Sequence, residues 1–540
     1  MRKNVIALSI ATLVGGLGMA GGASAAAIAD NGSATVSPTT AVGLITTPAG
    51  AGHILVVPYF NTQGTNASLL NIVNTDTVNG KAMKVRFRSG ANSDDVFDFQ
   101  LYLSPGDVWT ANIAADSTGV SRMLTTDKSC TLPPSINQPF VLDRLPPQFT
   151  AAEKAAWTRE GYIEILNMAD VPPQAITATG AVGSGANALF TAIKHVAGVA
   201  PCTAATMNTL MAEPLVVSDA YALGFRAPSG KVFANWMIVD VLNSGSYSGE
   251  ATSIIASTAA IDPVTLHRIP GRGNSVFFPQ VGTAAVNVDF HTADPSLRST
   301  FGIGAGQVQN GSGGAYSNGS LPAPIIAAAQ FDLPDLSTPY VLLAVPDVLD
   351  PIRQAGWLSD SMSANAIRNE YFTDPTVGAV TDWTFTMVTR RYHVAVDYRA
   401  ATAVRAYTNY AGTWPWQYFN ASNTSIGSDK KVCVVTGSPT LWNREEGTVT
   451  SGFVISPGTS SVFQLCGETS VLSFNTGTTA QSALGGAIAR SDIPTPQRDG
   501  WMSIPTTGLG VGLPILGSAF MRAAVPSGKY GLTFEHRYSR

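Results

Sequence analysis

The chain has 540 residues, of which 32 are Lys or Arg and 36 are Asp or Glu, giving a net charge of −4. An apolar content of 45% with so little net charge excludes a disordered chain. The lack of a basic excess to neutralise phosphates excludes nucleic acid as a partner.

Only 13% of residues are charged, about half the ~25% of an ordinary soluble domain. The charged residues are 26 Asp against 10 Glu and 22 Arg against 10 Lys. Glu and Lys are the usual exposed-helix formers, so their scarcity argues against a helical protein. Fifty-two Gly and 33 Pro, with abundant Thr, Ser, Asn and Val, point to strands joined by tight turns. The expected fold is mainly β, as one or two antiparallel β-sandwich lobes with a short helical insertion.

Residues 1–25 carry Arg2 and Lys3, then an apolar run over 5–19, then Ala23-Ser24-Ala25. This is the pattern of a signal peptide cut before Ala26, which implies export through the Sec pathway. No later stretch reaches 18 uncharged apolar residues, so no helical membrane span is expected. Residues 26–48 read as a flexible leader of Ala, Ser, Thr, Gly and Pro.

Residues 49–400 read as a large β-rich lobe. Segments 53–60 (HILVVPYF) and 67–73 are strands. In 81–89, Met83, Val85 and Phe87 share one face, and Lys84, Arg86 and Arg88 the other. In 95–103, Phe97, Phe99, Leu101 and Leu103 point one way. A period of two with one polar face predicts half-buried antiparallel strands. Asn79-Gly80 predicts a hairpin between them, and Ser104-Pro105-Gly106 a turn into the strand at 108–113. The whole reads as a β-meander forming one sheet of a sandwich.

Residues 114–215 read as the helical insertion. Thr150 with Glu153 makes a capping box for a helix that Gly161 stops. Residues 162–168 return as a strand, and the Ala-rich stretch 186–212 predicts one or two helices. Strands resume at 215–217, 231–241 and 251–256, and the glycine-rich stretch 300–324 reads as a long loop. Residues 382–398 change parity between Phe385 and Tyr392, which requires a bulge or break near residues 389–391. Residues 401–540 read as a second β-rich lobe.

Four cysteines, Cys130, Cys202, Cys433 and Cys466, allow three disulfide connectivities in an exported chain. Pairing nearest neighbours, Cys130 with Cys202 and Cys433 with Cys466, closes the shortest loops and is the expected arrangement. A zinc site is not expected, because no CxxC pair exists.

Catalytic motifs are scarce. GxSxG is absent, and residues 245–249 (GSYSG) place Tyr at the central position. The six histidines are dispersed. Asp289, His291 and Asp294 form one local cluster that reads as a strand end, and Ser428 with Lys431 makes an SxxK spacing without companion motifs. Nothing selects a carboxylate pair for glycoside hydrolysis. No enzymatic activity is expected. Calcium is the one possible ligand, since Asp-rich loops suit a hard cation. Its candidate ligands are Asp76, Asn79, Asp94 and Asp95, which flank the predicted hairpin.

A series of blocks then stands out: HILVVPYF, SLLNIVNTD, MKVRFRSGANSDDVFDFQLYLSPGDVWTANI, EGYIEILNM, FDLPDLSTPY, TDWTFTMVTRRYHVAVDYR and GLPILGSAF. They run from about residue 45 to the C-terminus. In these blocks the chain resembles a group of proteobacterial cell-surface proteins, including the surface-layer proteins of nanopods, the tubular sheaths around outer-membrane vesicles. The resemblance implies a self-assembling structural protein on the outer envelope of a Gram-negative bacterium. Its partners would be copies of itself and the outer-membrane or vesicle surface. It transfers no catalytic residue.

Two alternatives compete. A secreted polysaccharide- or hydrophobic-substrate-binding module or hydrolase would use surface tryptophans, with Trp383, Trp414 and Trp416 as candidates. An outer-membrane β-barrel-associated protein would use a lipid-facing strand, suggested by the alternation of Tyr530, Leu532, Phe534, His536 and Tyr538.

Overall fold

In the computed structural model, the described residues are 43–257 and 358–540 apart from short interruptions, together with four short strands at 277–278, 308–310, 315–316 and 340–341. The protein is mainly β, and its strands form layered antiparallel sheets. Among the described residues no helix is long and apolar enough to cross a membrane.

The first half builds two facing sheets. The larger has seven strands in the order Gly43–Thr46, Thr252–Ser257, Ile54–Asn61, Glu160–Val171, Gly80–Ser89, Asp95–Leu103 and Cys130–Leu132. The smaller has five: Gly245–Glu250, Val232–Asp240, Asn66–Asn74, Val108–Ala115 and Ser121–Leu124. Apolar residues of alternating parity fill the space between them, including Val57, Met83, Val85, Phe99 and Ile165 against Leu70, Ile72, Trp109 and Trp236. Phe99 and Trp109 meet across the layer, with ring centroids 5.4 Å apart.

The expected single-sheet meander is corrected. Asn66–Asn74 lies in the small sheet and Gly80–Ser89 in the large one, so residues 75–79 form a crossover between sheets rather than a hairpin. The Asn74 side chain bridges the crossover to the next turn, donating to the carbonyls of Asn79 and Ser104. The true hairpin joins Gly80–Ser89 to Asp95–Leu103, with Val85 opposite Phe99 and Phe87 opposite Phe97.

The helical insertion is also more than an excursion. Thr150 and Glu153 do form the capping box on the Ala151–Trp157 helix. Past it, however, Glu160–Val171 becomes a twelve-residue strand at the centre of the large sheet, paired with Ile54–Asn61 and Gly80–Ser89. Helices Ala188–Ile193 and Ala204–Thr209 then cover one end of that sheet's outer face, packing Leu189, Phe190 and Ile193 on Tyr102, Leu132 and Met168. The Cys130–Cys202 disulfide ties this cover to the edge strand.

The second half repeats the layered plan. One sheet runs Thr448–Val449, Thr440–Asn443, Asp499–Pro505, Ala366–Phe372 and Arg537–Ser539. The facing sheet runs Arg490–Pro494, Thr469–Asn475, Val380–Thr386, Ser518–Val525 and Gly528–Glu535, with one parallel pair at its start. Tyr371 and Phe474 stack between the layers, centroids 4.8 Å apart. A three-stranded sheet beside them is stapled by Cys433 and Cys466, which sit directly opposite each other on antiparallel strands.

The parity change in 382–398 is a break: the strand ends at Thr386, a 3₁₀ turn occupies Arg390–Tyr392, and a new strand runs Val394–Asp397. Because Ala366–Phe372 and Val380–Thr386 pair with C-terminal strands, the sheets change membership ahead of residue 363 rather than near 400. The halves share one core: Phe520 of the second half packs on Tyr59, Trp236 and Tyr247 of the first.

Candidate functional site

The four calcium candidates do not meet. Asp76 lies at the start of Gly80–Ser89, whereas Asp94 and Asp95 lie past its end, ~30 Å away for a ten-residue strand. Asp76 accepts from the backbone of Val78 and Asn79, from the Asn79 side chain, and from Lys81 at 3.1 Å. Burial pushes this carboxyl up, but Lys81 and the three amide donors outweigh it and hold it well below the usual carboxylate range. At the far end, Asp95 faces Arg88 at 3.8 Å, and the loop at 90–94 docks onto the second half. There Asn92 receives the Val432 N–H at 3.0 Å, and the Gly90 carbonyl receives that of Thr469 at 2.9 Å. Among the described residues no group of three His, Cys, Asp or Glu side chains could hold a metal ion. The Asp289, His291 and Asp294 cluster lies outside the described residues, as do Trp414 and Trp416.

The polar face of the central strands is buried rather than solvated. Among the described residues, fifteen Lys, Arg, Asp and Glu side chains are buried. Lys84 reaches Asp98 at 2.9 Å, and Glu164 sits between Arg88 at 3.2 Å and Arg391 of the second half at 2.7 Å. Buried charges persist only when paired, and here the partners come from neighbouring strands and from the other lobe. Glu160 makes a second bridge between halves: it accepts from Tyr59 and Gln63 of its own half and from the backbone of Ala487 and Ile488. Asp382, also buried, accepts from Ser482 and from the backbone N–H of Leu484. Two carboxylates, one from each half, thus hold the segment 482–488 in place.

Among the described residues, four side-chain pairs imitate nucleophilic sites, and geometry or burial disqualifies each. Ser104 Oγ and Asp107 both approach the same His195 nitrogen, Nδ1, at 3.1 and 3.2 Å, so no relay through the ring exists. Lys81 Nζ donates to Asp76, Asp170 and Ser229, which spends all three ammonium protons and leaves no lone pair for the serine. Ser359 lies 3.1 Å from His393 Nε2, but both are buried, and burial holds that imidazole at about 3, far from a useful general base. Ser428 and Lys431 sit in a hairpin turn, with Lys431 paired to Asp429 at 2.9 Å.

Burial likewise lowers His53 and His536 to about 3, with Lys81 adding to the effect at His53. His536 fits a neutral ring: Nε2–H donates to the Thr384 carbonyl at 2.9 Å, and Nδ1 accepts from Asn369 at 3.0 Å. Below pH 6.5 the unfolded chain protonates these three imidazoles while the folded chain refuses, so stability falls from pH 6.5 towards 3, by about 1.4 kcal/mol per unit for each. Burial raises Glu160, Asp382, Glu468 and Glu535, which opposes the trend, because the folded chain there keeps a proton the unfolded chain has released. The imidazole share is isolated by His536→Gln, which has no ring to protonate in either state. The fall in denaturant midpoint from pH 7 to pH 5 is expected to be smaller, or the rise larger, in His536→Gln than in the native chain, and an unchanged pH dependence contradicts the neutral-histidine assignment.

The exposed candidate is an edge. Among the described residues, Gly528–Glu535 is the terminal strand of its sheet, paired over its full length with Ser518–Val525 on one side only. Tyr530, Leu532 and Phe534 point outward, 59%, 59% and 40% exposed. Alternate residues face inward, and at Gly531 an added Cβ would meet the Ser246 carbonyl of the first half. The alternation read from sequence continued through His536 and Tyr538, but the chain turns after Glu535. His536 enters the core, and the Tyr538 hydroxyl bonds to Gly517. The described sheets are all open, and none closes into a barrel. Trp383, a proposed sugar-stacking residue, is fully buried and donates to the Glu370 carbonyl.

No protein-family model matches the chain, and neither a curated protein nor a solved structure matches it.

Proposed function

We propose that the chain is an exported structural protein of the bacterial cell surface whose copies associate with one another. The Gly528–Glu535 strand carries this reading. An unpaired sheet edge is a template for another strand, and proteins usually blunt it with charge, proline or a cover. This edge instead presents an apolar stripe. Antiparallel pairing with the same strand of a second copy, about a twofold axis at Leu532, sets Tyr530 opposite Phe534 and Leu532 opposite Leu532. The same register sets Lys529 near Glu535, but Lys529 already holds Asp240 at 3.6 Å, so the outward apolar positions carry the self-complementarity.

Two further features support a self-associating body. Many of its few charges are buried, which leaves a surface with less charge to desolvate on contact. Buried carboxylates and guanidinium groups tie the two halves together. The resemblance to nanopod-type surface-layer proteins supports the same class, and with it export through the Sec pathway and placement at the outer membrane or its vesicles. A layer or tubular sheath would need one further contact per copy beyond this pairing.

Sedimentation of the mature chain, residues 26–540, tests the reading. The native chain is expected to associate as concentration rises. Leu532→Lys sets two ammonium groups opposite each other at the axis and is expected to weaken the pairing by at least about tenfold, or ~1.4 kcal/mol. A native chain that stays monomeric at every concentration, or a variant that associates equally well, contradicts it.

A further inference from the structure

We propose that the outer face of the sheet bearing Trp442 and Trp501 is a saccharide-binding platform, taking a run of neutral pyranose rings. The two tryptophans occupy directly paired positions on Thr440–Asn443 and Asp499–Pro505. Their rings are parallel within 7° with centroids 3.9 Å apart. Each ring covers one face of the other, so the exposed area of Trp501 lies on its remaining face and edge. Trp501 is 39% exposed, whereas Trp109, Trp157, Trp236 and Trp383 are all buried.

The surroundings match the ligand's two kinds of surface. A pyranose offers an apolar C–H face bordered by hydroxyl groups. Aromatic faces accept the first, and carboxylates and guanidinium groups bond the second. Strand pairing sets the exposed Glu370 directly beside Trp501. Arg368 lies two residues along the same strand and the same face. The Arg444–Asp499 ion pair borders the other side. From Thr448 through Trp442 and Trp501 to Glu370, the row crosses four adjacent strands. Its length is ~14 Å, enough for more than one sugar ring. A cross-strand aromatic pair also steadies a sheet by ~0.2–1 kcal/mol, but that role requires neither the exposure nor the polar border.

This inference goes beyond self-association and uses a different sheet, so the two can fail separately. The test titrates the mature chain with cellohexaose, laminarihexaose, maltohexaose and mannohexaose, reading tryptophan fluorescence. At least one is expected to give a saturable change. Trp501→Ala and Glu370→Ala should each weaken it by about tenfold with an unchanged thermal midpoint. Leu532→Lys should bind sugar as the native chain does. If Trp501→Ala fails to fold, Glu370→Ala carries the comparison. No saturable change with any of the four sugars overturns the proposal, as does native-like binding by a folded Trp501→Ala or by Glu370→Ala.

Discussion

Glu164→Ala is expected to cost about 3–5 kcal/mol of folding stability, the penalty for removing one member of a buried ion group. Glu164 lies on the central strand of the large sheet, with Arg88 at 3.2 Å on the neighbouring strand. Arg391 reaches the same carboxylate at 2.7 Å from the other half of the chain. Removing it leaves two buried guanidinium groups facing each other. Since Arg391 anchors the second half, that loss should fall on both halves together, as one unfolding transition at a lower denaturant midpoint. Glu164→Gln keeps the shape and part of the hydrogen bonding and should cost less. A midpoint shift below the size of an ordinary surface substitution, ~0.5 kcal/mol, would contradict the buried network.

The second large effect belongs to the Cys130–Cys202 disulfide, which spans a sequence separation of 72 residues. Chain entropy assigns a cross-link of that span roughly 4 kcal/mol. Replacing both cysteines by Ser should lower the denaturant midpoint accordingly. It should also raise hydrogen exchange first in helices Ala188–Ile193 and Ala204–Thr209, which the bond holds against the large sheet. The Cys433–Cys466 bond, with a separation of 33, should contribute slightly less. Unchanged stability and exchange in the double variant would contradict the staple.

What could be read in the sequence follows from which interactions are local. The strands, the Thr150–Glu153 capping box, the nearest-neighbour cysteine pairing and the break near residue 390 all depend on residues close in the chain. Sheet membership does not. Asn79-Gly80 carries a hairpin signal, yet the flanking strands lie in opposite layers, because the Asn74 and Asp76 side chains hold a crossover instead. The alternation of Lys84, Arg86 and Arg88 with Met83, Val85 and Phe87 located the strand correctly. It misassigned the polar face, since the covering partners Asp98, Glu164 and Arg391 lie up to some 300 residues away. The calcium candidates failed for the same reason: closeness around a predicted turn is not closeness in space once the turn is a crossover. The Trp442–Trp501 pair had no sequence signal, because 58 residues separate two positions that only strand register brings together. The outward stripe at Tyr530, Leu532 and Phe534 was legible as alternation, but where it ends depends on the burial of His536.

Negative-stain electron microscopy of the purified mature chain at increasing concentration, beside Leu532→Lys, tests the central claim most directly. Self-association through the terminal strand requires paired particles or ordered sheets or tubes from the native chain, and dispersed single particles from the variant. Single particles from the native chain at every concentration would contradict it.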